Sequence, residues 1–228
     1  MRKLLVTFLF LGLLGAVEIK INNHDLNCSY IITKDKPIGK IFSSMDEDFK
    51  KQTFAEGDII FAKGNLNIGE SYTIIGQEAS LSHGYKVYRL QGYGKVLRKE
   101  GKVFLIKVEK SCTGVRLGSL LYPLISERGF TLNLEPIKKD TVAPPGPAGH
   151  VLFIESFLKQ LGEGWAIIDG AKKLGLKRAD IVMVFQKLGD VRKPVSLGVV
   201  LRTAGDYAVI QTLLPISAVR KGYLVYKK

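Results

Sequence analysis

Gly94-Lys95-Val96-Leu97-Arg98 opens a stretch that runs to Tyr122, and Gly198-Val199-Val200-Leu201-Arg202 opens another that runs to Tyr226. The two align without a gap, and 11 of their 29 positions are identical. Working outward, Pro37-Ile38-Gly39-Lys40-Ile41 recurs as Pro147-Ala148-Gly149-His150-Val151, and Glu56-Gly57 recurs as Glu163-Gly164. The chain is therefore two copies of a module of roughly 80 residues, the size of a small domain rather than of a solenoid turn.

Each copy carries about six short segments of strand character, rich in β-branched residues and separated by turn signals. In the first copy these are 39–43, 58–61, 72–76, 92–98, 103–108 and 119–122, with turns at Gly64-Asn65, Lys99 to Lys102 and Gly114 to Gly118. In the second they are 151–155, 165–168, 181–185, 197–202, 207–212 and 223–226. A flat sheet of that many short strands leaves its edges open, whereas a closed barrel removes them. The expected fold is all-β: two tandem small barrels of the Src-homology-3 kind, over residues 37–123 and 147–228. Residues 124–146 join them and contain Val142-Ala143-Pro144-Pro145-Gly146-Pro147, a stiff linker that predicts barrels held apart or at a fixed angle. The arm at 17–36 has no repeat partner, and its alternation at Val17, Ile19 and Ile21 predicts an additional strand. Ser43 to Ala55, with Asp46, Glu47 and Asp48 in succession, predicts a helical turn or a solvated loop.

Residues 1–16 have the form of a secretory signal: Met1-Arg2-Lys3, an apolar run from Leu4 to Leu14, and the small pair Gly15-Ala16. Leu14 stands where a small residue would favour cleavage, so a cut after Ala16 and an uncleaved tether both stand. No later stretch is long enough to span a bilayer. The net charge of +13 falls by the two charges of Arg2 and Lys3 on cleavage. Outside the cytoplasm such a charge points away from nucleic acid and toward anionic envelope polymers or lipids. In that setting Cys28 and Cys112 are candidates for one disulfide, stapling the arm to the first barrel; the alternative, suggested by Ile216 at the equivalent place in the second copy, is that Cys112 fills a buried small apolar site.

Glu56-Gly57-Asp58-Ile59-Ile60, Leu66-Asn67-Ile68-Gly69-Glu70-Ser71-Tyr72-Thr73-Ile74-Ile75 and Val115-Arg116-Leu117-Gly118-Ser119-Leu120-Leu121 resemble a β-rich module of exported bacterial envelope proteins. That module stands beside lysin-motif domains, often in tandem, and is similar to the C-terminal domain of flagellar assembly protein T. The resemblance covers about Pro37 to Pro123 and Pro147 to Lys228. It implies an exported, non-catalytic barrel pair in the periplasm or cell envelope, in flagellar or cell-wall assembly. This chain carries no lysin motif, and Gly164-Trp165 and Ala179-Asp180 replace Gly57-Asp58 and Gly69-Glu70 in the second copy. Peptidoglycan binding by the missing domain is therefore not implied.

The chemistry-bearing residues form no local catalytic motif. His24, His83 and His150 lie in unrelated settings, and no paired cysteine motif, His-Glu-x-x-His or phosphate loop occurs. His24 and Cys28 would share a metal only on a helix, and Asn22 to Asp25 reads as a turn. Cys112 as a nucleophile lacks a local motif and has Ile216 as its repeat equivalent. Asp58 and Glu70 read as turn residues that accept backbone hydrogen bonds. Neither cofactor nor metal is expected. The repeated arginines are the binding candidates: Arg98 with Arg202 and Arg116 with Arg220, forming a basic stripe with Lys95, Lys99, Lys177 and Arg178 if they share a face. The alternative is that each serves its own module. The expected partner is an envelope protein complex or an anionic wall polymer.

Overall fold

The computed structural model describes residues 16–45, 52–155 and 164–228. Except for Ala16, the expected signal lies outside these residues, as do Asp46, Glu47 and Asp48. The arm holds β1 (Val17–Ile21), a short α1 (Asn23–Asn27) and β2 (Tyr30–Thr33). The first copy holds β3 (Gly39–Ser44), β4 (Thr53–Phe54), β5 (Ile59–Gly64), β6 (Ser71–Ser80), β7 (Lys86–Glu100), β8 (Val103–Ser111), β9 (Val115–Arg116) and β10 (Leu120–Pro123). After β11 (Phe130–Leu134), the second copy holds β12 (Gly149–Ile154), β13 (Gly164–Ile168), β14 (Ile181–Leu188), β15 (Val191–Ala204), β16 (Tyr207–Leu213) and β17 (Leu224–Lys227).

The strands close into two antiparallel barrels of six. In the first, β7-β6-β10-β3-β5-β8 returns to β7; the second runs β12-β13-β16-β15-β14-β17. The fold is all-β, as the strand pattern predicts. Sequence equivalence becomes register equivalence: Tyr72 faces Gly94 as Val182 faces Gly198. The Gly69 N–H donates to the Val96 carbonyl at 2.9 Å, and the Ala179 N–H donates to that of Val200 at 2.8 Å. Ala179 takes the left-handed backbone of Gly69, with φ of 70° against 86°, so the substitution leaves the turn intact. One alignment shifts: Trp165 faces Gln211 as Ile59 faces Lys107, which sets Gly164 in the place of Asp58 rather than Gly57.

Both barrels bend at the same three bulges, at Phe42 and Leu152, Gln91 and Val195, and Leu97 and Leu201. A bulge adds one residue to one strand and sharpens its local twist, which lets so few strands close. Gly39 and Gly149 sit at the same crossing. A Cβ on Gly39 would lie 2.9 Å from the Lys63 carbonyl, and one on Gly149 would strike that of Asp169. Inside each barrel the apolar residues of one strand face meet: Ile60, Val96 and Ile106 in the first, Val184, Val200 and Ile210 in the second.

A third core lies between the barrels, so of the two expected arrangements, held apart or at a fixed angle, the first is corrected. Ile21, Leu26, Tyr30 and Ile32 of the arm, with Leu134, pack on Phe185, Val199, Leu201, Val209 and Tyr226, the outer face of the second barrel. The connecting segment is not only a linker, since β11 pairs with β1 from Val17 opposite Leu134 to Ile21 opposite Phe130. β2 adds to the part of β7 that projects beyond the first barrel, Tyr30 opposite Arg89 and Thr33 opposite Lys86. Cys28, at the corner between α1 and β2, is disulfide-bonded to Cys112 just beyond β8, a separation of 84 residues. Part of the segment expected as a helical turn or a solvated loop is ordered by a two-residue pairing, Thr53–Phe54 with Val115–Arg116.

Closing a loop of this length by a disulfide restricts the unfolded chain by about 4 kcal/mol. Replacing both cysteines with serine is expected to lower unfolding free energy by about that amount in denaturant titrations. The equivalent turn carboxylates Glu70 and Asp180 both have lowered pKa values. Hydrogen bonds from the Tyr72 hydroxyl (2.7 Å) and the Asn67 amide (3.0 Å) hold Glu70 below its ordinary 4.5. Burial pushes Asp180 up, but Lys227 Nζ and the Lys177 N–H, both at 2.7 Å, outweigh it and leave it below 3.8. Their stabilisation is present above the ordinary carboxylate range and is lost as pH falls through the lowered values. Glu70→Gln and Asp180→Asn should therefore cost stability at neutral pH and converge on the parent protein in acid, measured by thermal unfolding across pH.

Candidate functional site

The two pairs of repeated arginines have different fates, and the reason is packing. Arg98, at the end of the Leu97 bulge, is 63% exposed at its side chain and pairs with Glu100 on its own strand at 2.8 Å. Arg116 is exposed on β9, and Arg220 is exposed in the turn before β17. Arg220 borders a cleft of about 590 Å³ formed with Leu152, Phe153, Val219 and Lys221. Arg202 is only 13% exposed, because the outer face on which its strand lies is covered by the arm. The stripe is corrected at this residue: Arg202 is an internal clamp, unavailable to an external anion.

That clamp organises the seam. Arg202 Nε donates to Glu127 Oε1 at 2.6 Å, Nη1 donates to Ser29 Oγ at 2.5 Å and to the Tyr30 carbonyl at 2.9 Å, and Nη2 donates to the Leu26 carbonyl at 2.8 Å. One guanidinium thereby satisfies backbone acceptors at the α1–β2 corner, where a helix end leaves carbonyls without intrahelical partners. Burial pulls its pKa below the ordinary guanidinium value, and the Glu127 carboxylate acts in the opposite direction. Arg178, expected in the stripe, instead donates to the Arg128 carbonyl, stacks on Phe130 at 5.1 Å and lies 3.8 Å from Glu127.

A second polar contact flanks the first. Arg89 pairs with Glu155 and lies 5.8 Å from the Tyr30 ring. Tyr30 meets Phe153 and Trp165 edge to face at 5.7 and 6.2 Å, so Trp165 packs against the arm rather than inside the barrel. Burial, with Glu155 beside it, pushes the Tyr30 phenol far above its ordinary value, so it stays neutral. A cleft of about 260 Å³ opens on the seam along Ile31, Tyr122, Glu127 and Arg202. Its two charged groups already bind each other, which leaves it no free charge for a ligand.

The remaining candidates are equally accounted for. Both sulfurs are joined in the disulfide, so neither Cys28 as a ligand nor Cys112 as a nucleophile has a thiolate to offer. His24, on α1 rather than in a turn, has Nδ1 at 3.5 Å from Cys28 Sγ. His150 lies 3.4 Å from Asp169, and His83 sits in an exposed turn. Asp58 accepts the Ala55 N–H at 2.8 Å, a turn role, whereas Glu70 is held by side-chain donors. Among the described residues no helix is long and apolar enough to cross a membrane, and no cluster of His, Cys, Asp and Glu could hold a metal ion. No family model and no curated protein matches this chain.

The seam can be separated from the surface by substitution. Arg202→Ala removes one donor from Glu127 and from each of three arm acceptors, leaving the Leu26 carbonyl the Ser29 hydroxyl and Glu127 the more distant Arg178, and is expected to cost about 3 kcal/mol. Arg98→Ala breaks an exposed pair and is expected to stay within about 0.5 kcal/mol of the parent. Urea unfolding of the two variants checks the contrast.

Proposed function

We propose that this protein is an exported, non-catalytic envelope component that serves as a structural or adaptor element in flagellar or cell-wall assembly. The observation that carries this reading is the seam: the arm and β11 weld two barrels into one unit with a common core, which suits an element that holds partners at a fixed spacing. The disulfide supports export, because such bonds persist in oxidising compartments. The leader-like first residues and the resemblance of both copies to exported tandem modules point the same way. The reading needs no cofactor and no nucleic acid, and it places the protein in the periplasm or cell envelope. A second reading, direct binding of peptidoglycan or another anionic envelope polymer, is favoured by the exposure of Arg98, Arg116 and Arg220.

Cross-linking in intact envelopes followed by capture at low and high salt tests both. The adaptor reading expects a defined set of proteins whose recovery survives high salt, where surface charge is screened. Recovery of wall polymer alone, abolished by salt or by changing Arg98, Arg116 and Arg220 together to alanine, would replace it with the second reading.

A further inference from the structure

The outer face of the first barrel, over β3, β5, β8 and β7, is the counterpart of the face that the arm covers on the second. Phe42, Phe61 and Leu97 stand where the second barrel has Leu152, Ile167 and Leu201. Ile167 and Leu201 are fully buried in the seam, and Leu152 packs against it. Phe42 and Leu97 instead remain 41% and 45% exposed, and Phe42 stacks on Phe61 with ring centroids 6.5 Å apart. The first barrel thus keeps the apolar centre of a covered face without the arm that covers it on the second; the Lys63 ammonium lies 4.9 Å from the centre of the Phe42 ring and leaves both Phe42 and Leu97 exposed.

The charges around that centre differ between the copies. Lys40 lies directly opposite Lys63, and Lys95 directly opposite Lys107, all four exposed. Like charges facing each other across strands repel and destabilise a sheet. Among the described residues no carboxylate comes within ion-pair distance of these four lysines; Glu109 of β8 instead accepts a hydrogen bond from Ser71 at 3.1 Å. At the equivalent positions the second barrel has His150 beside Asp169, with the His150 N–H donating to that carboxylate at 2.6 Å, and Val199 beside Gln211. Repulsion is absent from the covered face and doubled on the open one.

We propose that this face of the first barrel docks on an anionic lipid bilayer. Negative charge relieves the two lysine pairs, and Phe42 and Leu97 enter the interfacial layer while the lysine stems extend to the headgroups. Every strand here is paired on both sides, so the face offers no free edge to a peptide strand. A convex barrel side with protruding apolar tips fits a yielding planar surface, and a polyanion without an apolar phase would leave those tips in water. The site takes in Arg98 and Lys95 of the basic stripe but not Arg116 or Arg220, and it does not depend on the adaptor reading, since it is measured without a protein partner.

Flotation of the purified full chain with vesicles of equal parts phosphatidylglycerol and phosphatidylcholine, against phosphatidylcholine alone, tests it. Each lysine at an anionic surface is worth on the order of 1 kcal/mol, so Lys40→Gln, Lys63→Gln and Lys95→Gln together should weaken binding about a hundredfold. Phe42→Ser with Leu97→Ser should remove the part of the binding that survives high salt, about tenfold. An equal charge change at Lys138, Lys172 and Lys173 should leave binding within about twofold, since those exposed residues lie elsewhere. Thermal unfolding of the lysine variant should match or exceed the parent, because a repulsion has been removed. Equal binding to both vesicle types, equal losses in the two lysine sets, or indifference to Phe42→Ser with Leu97→Ser would overturn the proposal. The last outcome, with equal retention on soluble wall polymer, would assign the face to a polyanion instead.

Discussion

The structure depends on the burial of the second barrel's outer face beneath the arm. A small barrel has two apolar surfaces to satisfy when its strands are apolar at successive positions, and closure satisfies only the inner one. Met183, Phe185, Leu197, Val199 and Leu201 supply the outer layer, and Ile21, Leu26, Tyr30 and Ile32 cover it. Burial at roughly 25 cal/mol per Å² of apolar surface provides the favourable term. Its cost is a chain reversal at α1 with carbonyls cut off from water. Arg202 meets that cost by donating to Leu26, Tyr30 and Ser29 while Glu127 balances its charge. Apolar cover and buried guanidinium therefore belong to one solution: without the arm Arg202 would be a surface residue like Arg98, and without Arg202 the corner would hold unsatisfied acceptors.

The same backbone thus supports two different surfaces. The bulges, the glycine crossing at Gly39 and Gly149, and the turn carboxylates Glu70 and Asp180 recur because closure of six strands demands them. The outward positions carry no such demand. Lysines occupy four of them in the first copy, where the second has His150, Asp169, Val199 and Gln211. Duplication has kept what closes a barrel and changed what each barrel meets.

The barrels were legible because their determinants are local and repeated: alternation, Gly-centred turns and an ungapped match over 29 positions. The seam is not legible in the same way, although it leaves a signal. Ile181-Val182-Met183-Val184-Phe185 and Val199-Val200-Leu201 are apolar at consecutive positions, the mark of strands buried on both faces, while Lys95-Val96-Leu97-Arg98 interrupts that pattern at the matching place. Sequence identity obscured the difference at Arg98 and Arg202, which share a register position and not an environment. The pairing of β1 with β11 joins residues more than a hundred apart, and no periodicity within either segment names its partner. The proline-rich stretch Val142 to Pro147 forms no regular element and bends at Pro145 and Gly146, and the stiffness of a linker does not set the distance between the bodies it joins.

The arm is attached to the two barrels by unlike means, and this bears on how the unit holds its shape. To the first barrel it is tied by the β2–β7 ladder and by Cys28–Cys112, which are directional and covalent. To the second it is tied by apolar burial and the Arg202 clamp, which depend on fit and on water exclusion, while Arg89 of β7 reaches Glu155 of the second copy directly. Stress across the seam should therefore release the second barrel from the arm before the arm leaves the first. The disulfide fixes the α1–β2 corner whose carbonyls Arg202 reads, so it presents those acceptors at a preset spacing and lowers the entropy lost when the second barrel docks. Oxidation then favours not only the first barrel but also the joined form of the whole, which makes the rigidity of this protein a property of the compartment in which the bond can persist.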